Sequence, residues 1–330
     1  MQKSLDRKLK RITGGKYTPK DFIIADAKDP EMSGGVPSTG PRDPARPDGP
    51  FETVENFRQS IVEMTRKGGL DIMLSAASSL EAVADRGTFK NSPVTPAIRA
   101  NDTTDIWRAR GSSYSTEPSL PFRTANLAHC RRFADLGLYS VTFNNILKLD
   151  HAALEAYNRF REDAAKHRFR HFLEVFNPNA PQGLSAEQIP AFVNDSILRA
   201  VAGMTKKDRP LFLKIPFNGR KAMEELAGYD ASLVVGILGG SGGTNRDTLE
   251  LLHQGEKSGA RVALFGRKIK LAESPLDLVA HFRPVIEGDL TPEEAVKSYH
   301  AVLAKKGLRP IRPLADDQAI TDKTLEGFRG

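Results

Sequence analysis

Short apolar runs alternate with longer amphipathic stretches along most of this chain. The apolar runs have the length of buried strands, and the amphipathic stretches carry apolar residues at helical spacing. This alternation requires a parallel sheet with helical crossovers, and eight units favour a closed (β/α)8 TIM barrel over an open doubly wound sheet. The predicted strands are Phe22–Asp29, Asp71–Ala77, Pro96–Arg99, Tyr139–Asn144, Arg170–Phe176, Pro210–Phe217, Leu233–Leu238 and Arg261–Gly266.

Capping residues mark where several crossover helices begin. Asp150 is expected to cap a helix that ends near residue 167, and Thr244 with Asp247 to open another that ends near Gly259. Two more helices are predicted to start at Ser185 with Gln188 and at Thr291-Pro292. Further helices are predicted over 53–67, 126–136 and 220–227.

Two segments interrupt the alternation. Residues 30–50 are rich in proline and glycine, which break helices and strands, so a long loop over a site is expected. Residues 85–125 contain a strand followed by an irregular insertion that holds the single tryptophan, Trp107. We therefore expect one barrel domain over residues 1–330, with an N-terminal extension at 1–20 and long loops after strands 1 and 3.

Composition narrows the classes of function. The chain has 48 Lys and Arg against 41 Asp and Glu, a net charge of +7, which suits either nucleic acid or small anions such as sugar phosphates. The basic residues are spread out and aromatics are scarce, so we expect a small anion and no nucleic acid. No apolar run is long enough to span a membrane, and the basic N-terminus has no apolar signal core. With Cys130 as the only cysteine, an intrachain disulfide is impossible, and a cytoplasmic location is expected.

Two charged residues lie inside apolar strands. Lys214 lies in FLKIPF, and burial there would lower its pKa and make the amine a nucleophile towards carbonyl carbons. Glu174 lies one strand earlier, in FLEVF, and suits a general acid or base. The alternative for both is a structural ion pair, which needs no catalysis.

Aspartates end the first predicted strand. Asp26 directly follows Ile23, Ile24 and Ala25, and Asp29 follows three residues later. In a barrel, strand 1 lies opposite strands 5 and 6, so a carboxylate at its end can reach the same substrate. A helix cap or a bond to loop amides is the alternative for either aspartate.

Glycine-rich turns follow the last two strands. Backbone amides in such turns approach anions closely, and the loops after strands 7 and 8 of barrels often bind phosphate. Arg267 adds a guanidinium that matches phosphate oxygens. A pair of tight turns without a ligand is the alternative. The candidate phosphate residues are Gly239, Gly240, Ser241, Gly242, Gly266 and Arg267.

Metal and thiol chemistry find little support in the pattern. His167 and His171 are the only histidines four residues apart, and they span a helix end and a strand start. Cys130 has no evident base beside it, so a packed residue is expected. Arg99, with Arg108 and Arg110, is expected either to be a solvated loop arginine or to hold a second phosphate or an acid group.

The run from residue 139 to 270 resembles class I aldolases of the barrel superfamily that includes tagatose-bisphosphate, sulfofructose-phosphate and archaeal-type fructose-bisphosphate aldolases. The strand motif LFLKIPFNG resembles theirs and implies that Lys214 forms a Schiff base with a ketose phosphate. HFLEVFNP places the family's glutamate at Glu174, and the strand-1 aspartate falls on Asp26, with Asp29 as the alternative. Some members carry a further lysine on strand 4, where this chain offers Tyr139 or Asn144 instead.

The resemblance implies a reversible retro-aldol cleavage of a phosphorylated ketose, with dihydroxyacetone phosphate as one product. It implies no metal or organic cofactor and a homo-oligomer. Two other functions stay open: fragment transfer through the same Schiff base, and non-catalytic binding of sugar phosphates. Residues 30–50 and 85–125 lie outside the resemblance, and substrate length and stereochemistry depend on them.

Overall fold

The structure is a computed structural model that describes residues 2–29, 31–42, 46, 48–239 and 243–327. Strands in this part of the chain form where apolar runs allow both faces to be buried. They are β1 Ile23–Lys28, β2 Ile72–Ser75, β3 Thr95–Arg99, β4 Asp102–Thr103, β5 Pro121–Phe122, β6 Leu136–Thr142, β7 Arg170–Phe176, β8 Leu213–Lys214, β9 Gly236–Leu238 and β10 Val262–Phe265.

Within the described residues, eight of these strands form one parallel sheet in the order β8-β7-β6-β3-β2-β1-β10-β9. The amide of Leu213 donates to the carbonyl of Val234, and that of Ile215 donates to Gly236. These bonds join β8 to the chain that enters β9, so the sheet closes into a barrel. The (β/α)8 TIM barrel predicted from the sequence is confirmed.

Helices surround the barrel. They are α1 Ser4–Thr13, α2 Glu31–Gly34, α3 Val54–Lys67, α4 Ala77–Asp85, α5 Leu127–Cys130, α6 Leu147–Lys166, α7 Ile189–Ala202, α8 Arg220–Tyr229, α9 Asn245–Lys257, α10 Arg267–Lys270, α11 Pro275–Ala280, α12 Phe282–Glu287, α13 Pro292–Lys305 and α14 Leu314–Asp317. In the described part of the chain, no helix combines the length and the apolar character needed to cross a membrane.

Side chains alternate between the barrel interior and the helices. In β1, Ile23 and Ala25 belong to the interior cluster, whereas Ile24 packs outward in the cluster that contains Ile61 of α3. The interior is filled by apolar side chains of the barrel strands and their flanks, among them Ile72, Leu74, Ala97, Leu136, Leu138, Phe172, Phe212, Val262 and Leu264. Inward-facing polar side chains therefore come together past this apolar cluster, towards the carboxyl ends of the strands.

The fourth barrel strand begins three residues earlier than predicted. The helix expected over 126–136 is only α5, which Asn126 caps through the amides of Ala128 and His129. It ends at Cys130, and the chain turns before β6 starts at Leu136. This shift changes which residues of the segment face the interior.

Helix starts agree with the capping pattern in two cases and differ in two. Helices α9 and α13 begin after Thr244 and Thr291 as predicted, and in each the threonine forms a capping box with the acidic residue three positions later. The helix assigned to Asp150 begins at Leu147, and the Asp150 carboxylate instead accepts bonds from upstream backbone amides. The helix assigned to Ser185 begins at Ile189, after a turn.

Helix α1 closes the amino end of the barrel. Its Leu5 is fully buried against the interior cluster. Lys8 donates to the carbonyl of Phe22 and to Asp71, which precede β1 and β2. Because this end is covered, the carboxyl end of the strands is the open one.

The two interruptions found in the sequence form the rim of that open end. The first carries α2 and a 3-10 turn, Val36–Thr39. The second carries the antiparallel pair of β4 and β5, and Trp107 packs there against the rings of Tyr114 and Phe122 at 4.9 and 5.5 Å. Both segments rise from the carboxyl ends of barrel strands, where substrates bind in this fold.

Candidate active site

A cavity of about 360 Å³ opens at the carboxyl ends of the barrel strands. Its inner end carries Glu174 and Lys214, which lie two residues after the interior residues Phe172 and Phe212 on neighbouring strands. Because residues two apart in a strand point to the same side, the apolar side chains of the interior are followed by polar side chains at the cavity floor. Asp29, just past the end of β1, also lines the cavity.

Lys214 and Glu174 form a buried ion pair. The register of β7 and β8 sets these two residues side by side, and Lys214 Nζ lies 2.5 Å from Glu174 Oε1. Their side chains are 7 % and 1 % exposed. A buried ammonium needs such a partner, and the carboxylate is placed to take its proton. The roles of nucleophile and proton carrier, predicted for Lys214 and Glu174 from the sequence, stay predictions.

Arg99 is the hub of this floor. Its guanidinium pairs with Asp29 through Nε and donates to the Ser140 hydroxyl at 2.9 Å through Nη1. Nη2 lies 3.4 Å from Glu174 Oε2. Burial disfavours the charge, but the carboxylates of Asp29, Glu174 and Asp102 outweigh burial and raise the pKa of Arg99 above its ordinary value. Arg99 is thus a buried part of the site and not a solvated loop arginine.

Asp29, and not Asp26, belongs to this cluster. Burial raises the pKa of Asp29, but the positive charges of Arg99 and Lys214 outweigh burial and hold it below its ordinary value. Asp26, the first choice from the sequence, lies on the outward face of β1 and is fully buried. Its Oδ2 lies 3.2 Å from Lys28 Nζ. Successive residues of a strand alternate in direction, so Asp26 turns away from the cavity.

Ser140 takes the fourth-strand position that the sequence left to other residues. Its hydroxyl donates to Glu174 Oε2 at 2.6 Å and accepts from Arg99. Tyr139 faces outward and packs against the rings of Tyr157 and Phe160, at 4.8 and 4.6 Å. Taken from Leu136, the alternation in LGLYSVT indicates Ser140 as an inward-facing residue.

Asn144 also lies away from the cavity. Its side chain donates to Asn179 Oδ1 at 3.0 Å and accepts from the amide of Ala180 at 2.8 Å. It therefore ties the loop after β6 to the loop after β7. The candidates Asp26, Tyr139 and Asn144 are all buried, but the structure brings none of them to the cavity.

Asp102 lies behind Arg99. Its Oδ1 accepts from the amide of Thr103 and lies 3.6 Å from Arg99 Nη1. Its Oδ2 is buried and has no hydrogen-bond partner among the described residues. Burial raises the pKa of Asp102 to about 7, against the attraction of Arg99. Sequence reasoning missed this carboxyl, since nothing in its local pattern indicates burial.

Three of the six candidate phosphate residues lie at one wall of the cavity. Gly239, Gly266 and Arg267 line it, whereas Gly240, Ser241 and Gly242 lie outside the described residues. A Cβ on Gly266 would lie 2.6 Å from the carbonyl of Ala27, so only glycine fits there. Burial lowers the pKa of Arg267, and the charge of Arg108 lowers it further.

The cavity is electropositive. Its described lining contains five cationic side chains and two carboxylates, a net charge of +3 when all are ionised. The carboxylates are Asp29 and Glu174, and both pair with cations on the floor. The cations are Arg99, Arg108, Lys214, Arg267 and Lys270. Such a lining favours an anionic ligand.

The other candidate residues have structural partners. His171 is buried against the Tyr157 hydroxyl at 2.8 Å, and burial lowers its pKa to about 4. His167 Nε2 lies 3.4 Å from Asp163 Oδ1. Burial raises the pKa of Cys130 to about 11. Among the described residues, no group of three or more His, Cys, Asp or Glu side chains is arranged to hold a metal ion.

No family model matches the chain, and no curated protein matches it in sequence. Solved structures do match it. A Schiff base forming fructose-1,6-bisphosphate aldolase aligns with a TM-score of 0.62 and 16 % identity, over 86 % of this chain and 99 % of that chain. An archaeal fructose-1,6-bisphosphate aldolase, with its catalytic Lys bound to a carbinolamine intermediate, aligns with a TM-score of 0.62 and 16 % identity, over 86 % of this chain and 100 % of that chain. The fructose-bisphosphate aldolase from Slackia heliotrinireducens aligns with a TM-score of 0.64 and 12 % identity, over 91 % of this chain and 90 % of that chain.

Similarity at such identities concerns the arrangement of the backbone. The three aldolases cover 86 to 91 % of this chain. The resemblance expected from the sequence is therefore confirmed for the fold: the chain has the (β/α)8 barrel of archaeal fructose-1,6-bisphosphate aldolases.

Proposed function

We propose that this chain is a class I aldolase that cleaves a phosphorylated ketose reversibly through a Schiff base on Lys214. The products would be dihydroxyacetone phosphate and an aldehyde. The observation that carries the proposal is the buried Lys214–Glu174 pair, which lines the floor of an electropositive cavity. The aldolases with this fold include one described as Schiff base forming and one with a catalytic Lys bound to an intermediate, which supports the same chemistry here.

The first stage joins the substrate to the enzyme. Glu174 accepts a proton from the Lys214 ammonium, and the neutral amine attacks the ketone carbon to form a carbinolamine. Glu174 then returns a proton to the carbinolamine hydroxyl, which leaves as water. The product of this stage is an iminium ion, whose positive nitrogen draws electrons from the neighbouring carbon bonds. Ser140 and Arg99 hold Glu174 in position through its other oxygen.

The second stage breaks the carbon–carbon bond. Asp29 orients or deprotonates the C4 hydroxyl, the aldehyde leaves, and the electrons of the C3–C4 bond move into the iminium to give an enamine. Return of the C4 hydroxyl proton to C3 forms an iminium again, and its hydrolysis by water releases dihydroxyacetone phosphate and restores Lys214. Asp29 suits this role because it lines the cavity as a carboxylate beside the charges of Arg99 and Lys214.

The phosphate of the substrate is assigned to the wall formed by Gly239, Gly266 and Arg267. Residues 240–242, which follow Gly239 in the sequence and lie outside the described residues, stay predicted members of this site. Glycine at 266 allows close approach of the backbone, and a guanidinium pairs with phosphate oxygens in a fixed geometry. Binding the phosphate there would fix the ketone against Lys214 and lower the entropic cost of reaction.

Borohydride trapping tests the proposal. The protein is mixed with dihydroxyacetone phosphate, reduced with borohydride and mapped by peptide mass spectrometry. A covalent mass on the peptide that holds Lys214 is expected, and it should be absent in Lys214→Gln. The matched control is Lys67→Gln, which removes an exposed lysine of α3 that pairs with Glu63.

The outcomes separate the candidate functions. An adduct on a different lysine would contradict the assignment of the nucleophile. If no adduct forms with dihydroxyacetone phosphate or with other ketose phosphates, a non-catalytic sugar-phosphate-binding protein becomes the better proposal. The expected cytoplasmic location, homo-oligomer and single domain over residues 1–330 stay predictions.

A further inference from the structure

The cationic side chains of the cavity lie on its floor and towards one wall. Arg267 and Lys270 line the cavity from α10, which follows β10. The charge of Arg108 reaches this wall as well, because it adds to the effect of burial in lowering the pKa of Arg267. The other two cations of the described lining, Arg99 and Lys214, pair with carboxylates on the floor.

The side of the cavity across from β10 is apolar. In the closed barrel, β6 lies opposite β10, and β7 is the neighbour of β6. Phe176, the last residue of β7, lines the cavity two residues after Glu174 and on the same face of the strand. None of the five cations in the described lining belongs to β6 or β7.

A second apolar residue comes from the insertion after β3. Ile106 lines the cavity at the end of the 3-10 turn Thr104–Ile106. The preceding residue, Asp105, accepts a hydrogen bond from the hydroxyl of Thr142 in β6, at 2.9 Å. This bond fixes the turn over the end of β6, so Ile106 and Phe176 line neighbouring parts of the same side.

The proposed reaction determines which part of the substrate reaches this side. With the phosphate of the ketone half at Arg267 and the ketone carbon at Lys214, C3 and C4 lie on the other side of the ketone carbon from C1. The aldehyde half therefore extends away from the phosphate, towards β6 and β7. A second phosphate there would meet apolar side chains, and Arg99 on the neighbouring β3 is already bound to carboxylates. Burying a charge without a partner is costly.

We propose that the aldehyde half of the substrate is uncharged and ends in an apolar group that contacts Phe176 and Ile106. The substrate is then a ketose with a single phosphate, carried on the ketone half, and Phe176 is a specificity-determining residue. This inference rests on the proposed function for the reaction and adds the chemical class of the aldehyde.

The first experiment measures aldol addition of dihydroxyacetone phosphate to three aldehydes that share one scaffold. Lactaldehyde, glyceraldehyde and glyceraldehyde 3-phosphate end in a methyl group, a hydroxymethyl group and a phosphate ester. The wild-type kcat/KM should be about tenfold higher for lactaldehyde than for glyceraldehyde, because an apolar surface leaves the added hydroxyl without a partner. For glyceraldehyde 3-phosphate it should be at least about a hundredfold lower than for lactaldehyde, since a buried dianion costs more than a hydroxyl.

The second experiment tests the two apolar residues. Phe176→Ser replaces an apolar surface with a hydroxyl and should lower the ratio of kcat/KM for lactaldehyde over glyceraldehyde from about ten towards one. This ratio does not depend on the fraction of enzyme that is folded, so a loss of stability does not imitate the result. Ile106→Ser should lower the ratio in the same direction and provides the same test if Phe176→Ser does not fold. The matched control is Phe133→Ser, which changes a half-buried phenylalanine outside the described lining and should keep the wild-type ratio.

The outcomes distinguish this inference from the proposed function. If glyceraldehyde 3-phosphate is the best of the three aldehydes, or if both serine variants keep the wild-type ratio, the inference fails and the aldolase proposal stands. If dihydroxyacetone phosphate forms an adduct on Lys214 but is joined to none of the aldehydes, the inference fails and the Schiff base stands. If there is neither adduct nor addition, the proposed function fails and the inference fails with it.

Discussion

Two buried lysine–carboxylate pairs lie at opposite ends of the barrel. Lys8 Nζ is 2.7 Å from Asp71 at the amino end, and Lys214 Nζ is 2.5 Å from Glu174 at the carboxyl end. All four side chains are at most 7 % exposed. By distance and burial alone the two pairs are equivalent.

Their surroundings differ. Lys8 also donates to the carbonyl of Phe22, and Asp71 also accepts from the amide of Ile24 and from Arg283. Lys8 belongs to α1, so this pair holds the helix against the amino end of the barrel. Lys214 instead lines a cavity, so a substrate can reach its amine.

A buried ion pair is therefore weak evidence for catalysis, because both pairs satisfy the same electrostatic requirement. Access to a cavity, together with further polar groups that converge on it, distinguishes the candidate catalytic pair from the structural one. The following variants test this distinction, beginning with the largest expected effect.

Replacing the two lysines should separate chemistry from stability. Lys214→Met should abolish borohydride trapping, because the attacking amine is removed. Glu174 keeps Arg99 and Ser140 as partners in this variant. Lys8→Met should keep trapping and lower the free energy of unfolding by about 3 kcal/mol, the cost of breaking a buried pair. Urea unfolding and trapping on both variants check the result. Trapping by Lys214→Met would refute the assignment.

The two carboxylates allow a matched comparison. Glu174→Gln should lower turnover by about 10²- to 10⁴-fold, the usual contribution of acid–base catalysis. Asp71→Asn should lower the free energy of unfolding and leave the turnover of the folded protein unchanged. Steady-state kinetics and urea unfolding provide the measurements. Equal effects of both variants on turnover would show that the cavity does not distinguish the pairs.

The two aspartates of strand 1 test which face of β1 takes part. Asp29→Asn should lower turnover by about a hundredfold, at the lower end of acid–base effects, because its carboxylate lines the cavity. Asp26→Asn should leave turnover unchanged, since Asp26 faces outward beside Lys28. The opposite ranking in steady-state kinetics would restore Asp26 as the functional residue.

The fourth barrel strand offers a smaller effect. Ser140→Ala removes one hydrogen bond to Glu174 and should lower turnover several-fold, which corresponds to about 1 kcal/mol. Tyr139→Phe should leave turnover unchanged, because that ring packs away from the cavity. A larger effect of Tyr139→Phe than of Ser140→Ala on turnover would contradict the assigned faces of β6.

The smallest effect concerns stability against pH. The pKa of Asp102 rises from 3.8 to about 7 on folding, because burial disfavours its charge and outweighs the attraction of Arg99. Between these two values the folded state holds a proton that the unfolded state has lost. Asp102 therefore makes the free energy of unfolding fall as pH rises from about 4 to 7. In urea unfolding across this range, Asp102→Asn should show a shallower fall, and an unchanged slope would contradict the raised pKa.

Much of the candidate site could be predicted from the sequence. Lys214 and Glu174 stand out because charged residues inside apolar runs must find partners or a cavity. The order of strands and helices also follows from hydrophobic periodicity, so the barrel could be predicted without any contact information. The aldolase resemblance added roles for these residues, and the barrel it implied is confirmed.

Other parts of the site depend on long-range pairing. Side chains of β6 alternate with a period of two from Leu136, so Ser140, and not Tyr139, lies on the inward face beside Glu174. Asp26 and Asp29 are the same residue type near the end of the same strand, and only the closure of the barrel decides which of them faces inward. Arg108 and Arg267 line the same cavity although two strands separate β3 from β10, and no local pattern indicates that they meet there.

The chain's own pattern thus carries the elements, their order and the two charged residues that an apolar strand cannot leave unpaired. The packed barrel decides which face each strand turns inward and which distant loops meet at its mouth. The physical reason is that periodicity is a property of a few neighbouring residues, whereas a cavity forms only where strands and loops far apart in the sequence come together.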